Sequence, residues 1–125
     1  MNIGLDYHGV IDAFPEFFAA FSSAMMKAGH EIHIITGSEI TEEFCENLKK
    51  MGIKWTHLFS IPDYHKEHGV EVWHDKKGTP WMDANIWNRT KARYCQLNHI
   101  DMHLDDTAKY GEFFRTPFAL FKKVA

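Results

Sequence analysis

At 125 residues and 14.6 kDa, the chain has the size of one domain and is long enough to bury roughly 65% or more of its unfolded surface in a single core. Hydrophobic residues at 45% and charged residues at 25% are ordinary globular proportions, which excludes a disordered or fibrous chain. The 14 Lys and Arg against 17 Asp and Glu give a net charge of -3 with no basic block, which argues against stable binding of duplex nucleic acid.

The two cysteines, Cys45 and Cys95, stand far apart without metal-ligand spacing and read as reduced core thiols. Lys27, His30 and Glu31 interrupt the most apolar stretch, so no membrane span and no membrane partner are expected. The chain opens directly on an alternating pattern rather than a basic leader and apolar segment, and the expected location is cytoplasmic.

In chain order, residues 1–6 alternate Ile3 and Leu5 with small or polar neighbours, predicting a short strand followed by a turn at Gly9. Phe14, Phe17, Phe18, Phe21 and Met25 recur at helical spacing, with Pro15 suited to the first turn and Gly29 to the stop, so a helix with an aromatic core stripe follows. Residues 31–36 predict a second strand ending at Thr36-Gly37-Ser38. Residues 41–51 predict a second helix, capped by Thr41 and stopped by Gly52. Residues 53–61 read as a third strand, 89–98 as a helix, 100–104 as a fourth strand and 118–121 as a fifth. Strands alternating with helices predict a Rossmann-like three-layer α/β sandwich with a mainly parallel five-stranded sheet, as one domain. Residues 62–88 are too long for an ordinary connection and read as an insert. In it, 70–73 and 79–82 flank a Gly78-containing loop and predict a β-hairpin.

Ligands of open parallel sheets gather beyond the carboxyl ends of the strands. Those ends deliver Asp6, Thr36 and the pair Asp105-Asp106. Each like-charge pair at about 4 Å and an effective dielectric near 20 costs on the order of 4 kcal/mol, so three ionised carboxylates call for a cation or for protonation. An all-oxygen donor set favours a hard ion, and Mg²⁺ characteristically combines one or two carboxylates with waters and phosphate oxygens.

These residues carry a resemblance. DYHGVID (6–12) is similar to the D-x-D-G-[VT] signature of the haloacid dehalogenase-like hydrolase superfamily. IITG, ending in Thr36 and Gly37, is similar to its second motif, Lys91 to its third and MHLDDT (102–107) to its fourth. The four occur in order over nearly the whole chain. The resemblance implies a phosphatase in which Asp6 attacks phosphorus and carries an aspartyl phosphate. It implies Mg²⁺ held by Asp6, the His8 carbonyl and one or both of Asp105 and Asp106. Lys91 and Thr36 would neutralise the phosphoryl group, with Gly37 in the phosphate loop. It also implies that the hairpin, with Trp73 and Trp81, is a rudimentary cap that meets the substrate. So short a cap leaves the site open, which suits a large phosphorylated substrate, such as a nucleic-acid end, or completion by a second copy in a homo-oligomer; a small phosphorylated molecule is the other substrate class.

His8 departs from the superfamily's pattern, which has a second Asp there acting as general acid and base. A histidine is competent for both roles near neutral pH. The alternative is a weak or inactive relative that binds a phosphorylated ligand without processing it. A receiver-like signalling domain would place its phosphoacceptor after the third strand, at Asp63, and leaves DYHGVID unexplained. His65, His68 and His74 lie in the insert, but no cysteine joins them and their spacing fits no strong zinc pattern. Asp12 is expected to cap the first helix.

Overall fold

The computed structural model describes residues 1–122. In chain order its elements are β1 (Asn2–Leu5), α1 (Pro15–Lys27), β2 (Glu31–Thr36), α2 (Glu42–Lys50), β3 (His57–Ser60), α3 (Ile61–Glu67), β4 (Trp73–His74), β5 (Pro80–Trp81), α4 (Ala84–Leu97), β6 (Met102–Asp105), α5 (Ala108–Gly111) and β7 (Phe118–Leu120). Five strands form one parallel sheet in the order β3-β2-β1-β6-β7, and β4 and β5 form a separate antiparallel hairpin.

Period-two alternation sends side chains to both faces of this sheet, and each face has its own core. Leu5, Ile32, Ile34, Phe18 and Leu48 cluster under α1 and α2, while Ile35, Cys95 and Ile100 cluster under α4. The fold is the expected α/β sandwich. Cys95 is buried, Cys45 is partly buried, and neither is in a disulfide. No helix among the described residues is long and apolar enough to cross a membrane.

The aromatic stripe of α1 is narrower than expected. Phe18 is fully buried but Phe17 is 58% exposed, because adjacent helical residues point about 100° apart and cannot share one face. The third strand covers only 57–60 of the expected 53–61, and its end is set locally. The Ser60 hydroxyl accepts a hydrogen bond from Asp63 N at 3.2 Å, and Pro62 occupies the first turn, so α3 starts where a strand was expected to end. Asp83 similarly accepts from Ile86 N at 3.1 Å and starts α4 five residues before the expected 89. The insert therefore contracts from 62–88 to 68–83, and its hairpin pairs only Trp73 with Trp81 and His74 with Pro80.

The chain moves from β1 to β2 and β3 on one side, then returns to place β6 on the other side of β1. That reversal opens a crevice beyond the carboxyl ends of β1 and β6, the usual ligand position in such sheets. At the opposite end, Asn2 N donates to the Asp101 carboxylate at 2.7 Å and ties β1 to the start of β6.

Candidate active site

Asp6 directly follows β1, and its backbone N–H donates to Leu104 O at 3.0 Å, so the carboxylate stands over the crevice. Lys91 comes from the sheet-facing side of α4 and is 1% exposed. Its Nζ donates to Asp6 Oδ1 at 2.8 Å and to Asp105 Oδ2 at 2.7 Å. One buried ammonium thus joins two nearly inaccessible carboxylates, at 5% and 0% exposure. A lysine has three N–H donors, and two are used here.

Asp105 and Asp106 divide the work that the sequence left undivided. Asp105 Oδ2 also meets His103 Nε2 at 2.9 Å, and its Oδ1 accepts from Thr107 N at 3.1 Å. Both oxygens are occupied, and the side chain anchors Lys91 from behind. His103 fits because Gly4 has no side chain: a Cβ there would come within 2.6 Å of His103 Nδ1. Asp106 instead lines a cavity of about 490 Å³ together with Asp6, His8, Gly37, Ser38 and Lys91. A larger cavity of about 580 Å³ lies between α3 and α4, is mainly apolar and contains none of these carboxylates.

Oxygens of Asp6, Asp105 and Asp106 lie within 4.8 Å of one another. The residues fit a hard divalent cation: the donors are all oxygens, and the cradle depends on Gly9, where an added Cβ would fall 2.0 Å from Asp106 Oδ2. With Asp6 Oδ1 engaged by Tyr7 N and Lys91, and both Asp105 oxygens engaged, Asp6 Oδ2 and Asp106 Oδ2 are the carboxylate atoms left for such an ion.

Burial pushes the Asp6 carboxyl up to about 7, against the opposing pull of the Lys91 charge. Asp105 is also penalised by burial, but its bond from His103 and the charge of Lys91 win and bring it to about 2. Lys91 is raised: burial disfavours its charge, but the two carboxylates more than compensate. Lys91 stays charged, Asp105 stays ionised, and Asp6 is the member whose charge a further cation would stabilise.

His8 lies on the rim, with its side chain 70% exposed. Its Nδ1 is 3.0 Å from Asp12 Oδ2, while Asp12 Oδ1 accepts from Gly9 N at 2.7 Å. Asp12 therefore does not cap α1, whose preceding residue is Phe14; it folds the turn back and holds the imidazole. Gly9 sits at φ 79°, in the region that suits glycine. Gly9→Ala is expected to lose about 1–3 kcal/mol of stability and to weaken Mg²⁺ binding, because the methyl group strikes Asp106. Denaturant melts and Mg²⁺ titration calorimetry check both effects.

Thr36 is fully buried and does not line the cavity; its hydroxyl accepts from Ser38 N at 3.0 Å and shapes the loop whose Gly37 and Ser38 do. Trp73 and Trp81 are not brought to Asp6. They pair across the hairpin and stand 52% and 50% exposed, and the hairpin reaches the cavity through residues 77–80 instead. Glu39 joins Lys66 of α3 and His74 of the hairpin, the latter at 2.8 Å, and so ties the hairpin to the loop after β2.

Of the aromatics in the insert 62–88, Trp87 does line the cavity, and it is joined there by Tyr110, which the sequence did not point to. Trp87 Nε1 donates to the Tyr110 hydroxyl at 2.8 Å, and the Tyr110 ring lies 4.9 Å from Lys91 Nζ. Trp87 packs closely against Gly37, where an added Cβ would come within 2.8 Å of the indole ring. The signal for His103 was present, since it lies two residues before Asp105 on one strand and shares its face. No local pattern marks Tyr110. Compared with known proteins, the sequence matches no protein-family model and no curated protein.

Proposed function

We propose that this chain is a Mg²⁺-dependent phosphohydrolase that works through an aspartyl phosphate on Asp6, a small and minimally capped relative of the haloacid dehalogenase-like hydrolases. The observation that carries this reading is the buried Lys91 ammonium, which bridges Asp6 and Asp105 at 2.8 and 2.7 Å beside an open cavity. The strand order supports it. Counted along the parallel sheet it runs third, second, first, fourth, fifth, whereas a receiver-type sheet runs second, first, third, fourth, fifth. Asp63, which the receiver reading needs, lies within α3 and accepts from Ile40 N at 2.8 Å.

In this reading Lys91 uses its third N–H on a phosphoryl oxygen, and the Gly37-Ser38 loop faces the same group. The Asp6 carboxylate forms a bond to phosphorus through the oxygen that does not hold the cation as the bond to the leaving oxygen breaks, and His8 Nε2–H gives that leaving oxygen its proton. His8 then takes a proton from water as the water oxygen attacks phosphorus, which frees Asp6 and inorganic phosphate. Asp12 holds the other imidazole nitrogen and so orients Nε2 away from the turn. Bound Mg²⁺, held by Asp6, Asp106 and the His8 carbonyl, would offset the negative charge of the phosphoryl group.

The test is Mg²⁺-dependent phosphate release from an aryl phosphate. His8→Ala is expected to lower kcat about 10²–10⁴-fold, the usual worth of general acid–base catalysis, with little change in stability. Unchanged turnover would remove His8 from the chemistry. The exposure of His8 favours a second reading, binding of a phosphorylated ligand without turnover. Beryllofluoride binding by a wild type that releases no phosphate would select it.

A further inference from the structure

We propose that Glu31, His33 and His57 form a binding site for a first-row transition-metal dication of the Zn²⁺ type, at the end of the sheet opposite the carboxylate cluster. The site follows from strand geometry. Glu31 and His33 are two residues apart on β2 and so project from the same face. The parallel register sets His33 beside His57, the first residue of β3. One potential ligand atom from each of the three side chains lies within 4.8 Å of the other two.

The independent observation is an orphaned atom. His33 is 3% exposed, and its Nε2 has no hydrogen-bond partner among the described residues. A Glu31 carboxylate oxygen stands 3.7 Å away, beyond hydrogen-bond reach. A buried polar atom left unsatisfied costs free energy comparable to a lost hydrogen bond, and a coordinated cation would remove that cost.

Both imidazoles are held through their other nitrogen, the arrangement common to metal-binding histidines. His33 Nδ1 lies 2.7 Å from the Tyr94 hydroxyl, and His57 Nδ1 lies 3.0 Å from Thr56 Oγ1. The Thr56 hydroxyl gives its proton to Ile32 O at 2.8 Å. It must therefore accept from His57, which puts the proton on Nδ1 and leaves the Nε2 lone pair of His57 available. The two rings are stacked, with centroids 4.2 Å apart and planes 10° apart. Sharing an ion with its buried neighbour would require exposed His57 to rotate out of this stack so that the two in-plane lone pairs converge.

Two imidazoles and one carboxylate are a borderline-soft set, suited to Zn²⁺ and its neighbours, whereas the oxygen-only cluster around Asp6 suits a hard ion. The two sites share no residue and select different metals. Because its ligands come from β2 and the edge strand β3, this ion would clip the sheet edge and stabilise the folded chain by mass action.

Zn²⁺ titration of chelator-treated full-length protein, by calorimetry and thermal melting, tests the site, with Co²⁺ absorption reporting coordination. The variants are His57→Ala and Glu31→Gln, both at exposed positions, with Asp106→Asn as the control for the carboxylate cluster. The expected result is one equivalent of Zn²⁺ bound and a raised Tm. Affinity should fall at least about tenfold in His57→Ala, since even loss of an outer partner costs 10–100-fold. It should fall in Glu31→Gln and stay unchanged in Asp106→Asn. Absence of Zn²⁺ binding by the wild type, equal affinity in His57→Ala, or a loss confined to Asp106→Asn overturns the proposal.

Discussion

The Asp6→Asn variant is expected to lose Mg²⁺-dependent phosphate release by about 10⁴-fold or more and, in chelating buffer above pH 7, to be more stable than the wild type. The two effects have one origin. Asp6 sits where its carboxylate is poorly solvated, and its carboxyl is raised from 3.8 to about 7. Between those values the folded protein holds a proton that the unfolded chain has released, so wild-type stability falls as pH rises. The contribution is complete below about pH 4 and is lost above about pH 7. A shift of about three units corresponds to an upper bound of about 4 kcal/mol. Asparagine does not titrate, so the variant lacks this slope. Asp105 behaves oppositely, since its lowered value places its stabilisation above about pH 4 and its loss near pH 2. Thermal melts from pH 4 to 8 with EDTA, paired with the phosphate assay, separate the claims. Wild-type turnover in the variant would remove Asp6 as nucleophile, and parallel stability curves would contradict its burial.

Lys91→Met is the second substitution with a large expected effect, on folding as well as on catalysis. Methionine keeps much of the apolar stem but leaves Asp6 and Asp105 together without their cation. Breaking a buried ion pair by removing one partner costs about 3–5 kcal/mol, a large part of the 5–15 kcal/mol by which domains are typically stable. Loss of a preorganised donor to the phosphoryl group should lower kcat by about 10²–10³-fold in whatever protein remains folded. The double variant Asp6→Asn with Lys91→Met removes one of the stranded carboxylates and should recover part of the stability while remaining inactive. Urea denaturation of the four forms gives the coupling energy directly. Strict additivity would mean that the 2.8 Å contact contributes nothing.

The parts of this architecture readable from the sequence are those governed by short-range periodicity. Ile3 and Leu5 announce β1, Ile32 and Ile34 announce β2, and Thr41 marks the start of α2 through its bond from Phe44 N. Once strands were placed, their carboxyl ends nominated Asp6, Asp105 and Asp106, which the fold brings within 4.8 Å of one another. The start of α3 was hidden because the Ser60 cap lies at the end of an apolar run with strand-like spacing. The different duties of Asp105 and Asp106 were not readable, because they depend on which carboxylate meets Lys91 across the sheet. Where Trp73 and Trp81 stand was not readable for a related reason. Their alternation showed a hairpin but not which way its faces point; the two rings pair across the strands, each about half exposed, and Trp81 lines a small cavity beside Trp87. Asp12 looked like a helix cap because an acid before a helix usually is one, whereas here a tight turn claims both of its oxygens.

The ion pair that closes the site spans 85 positions, and β1, near the start of the chain, lies between β2 and β6. During synthesis β1 can pair with β2 early, but its other flank stays bare until β6 has left the ribosome. Such an open edge invites wrong partners, and long-range parallel pairing is slow. A nascent chain stalled before β6 would therefore lack the Asp6–Lys91–Asp105 cluster and keep a bare strand edge, and the emergence of β6 is the step that completes the one and covers the other.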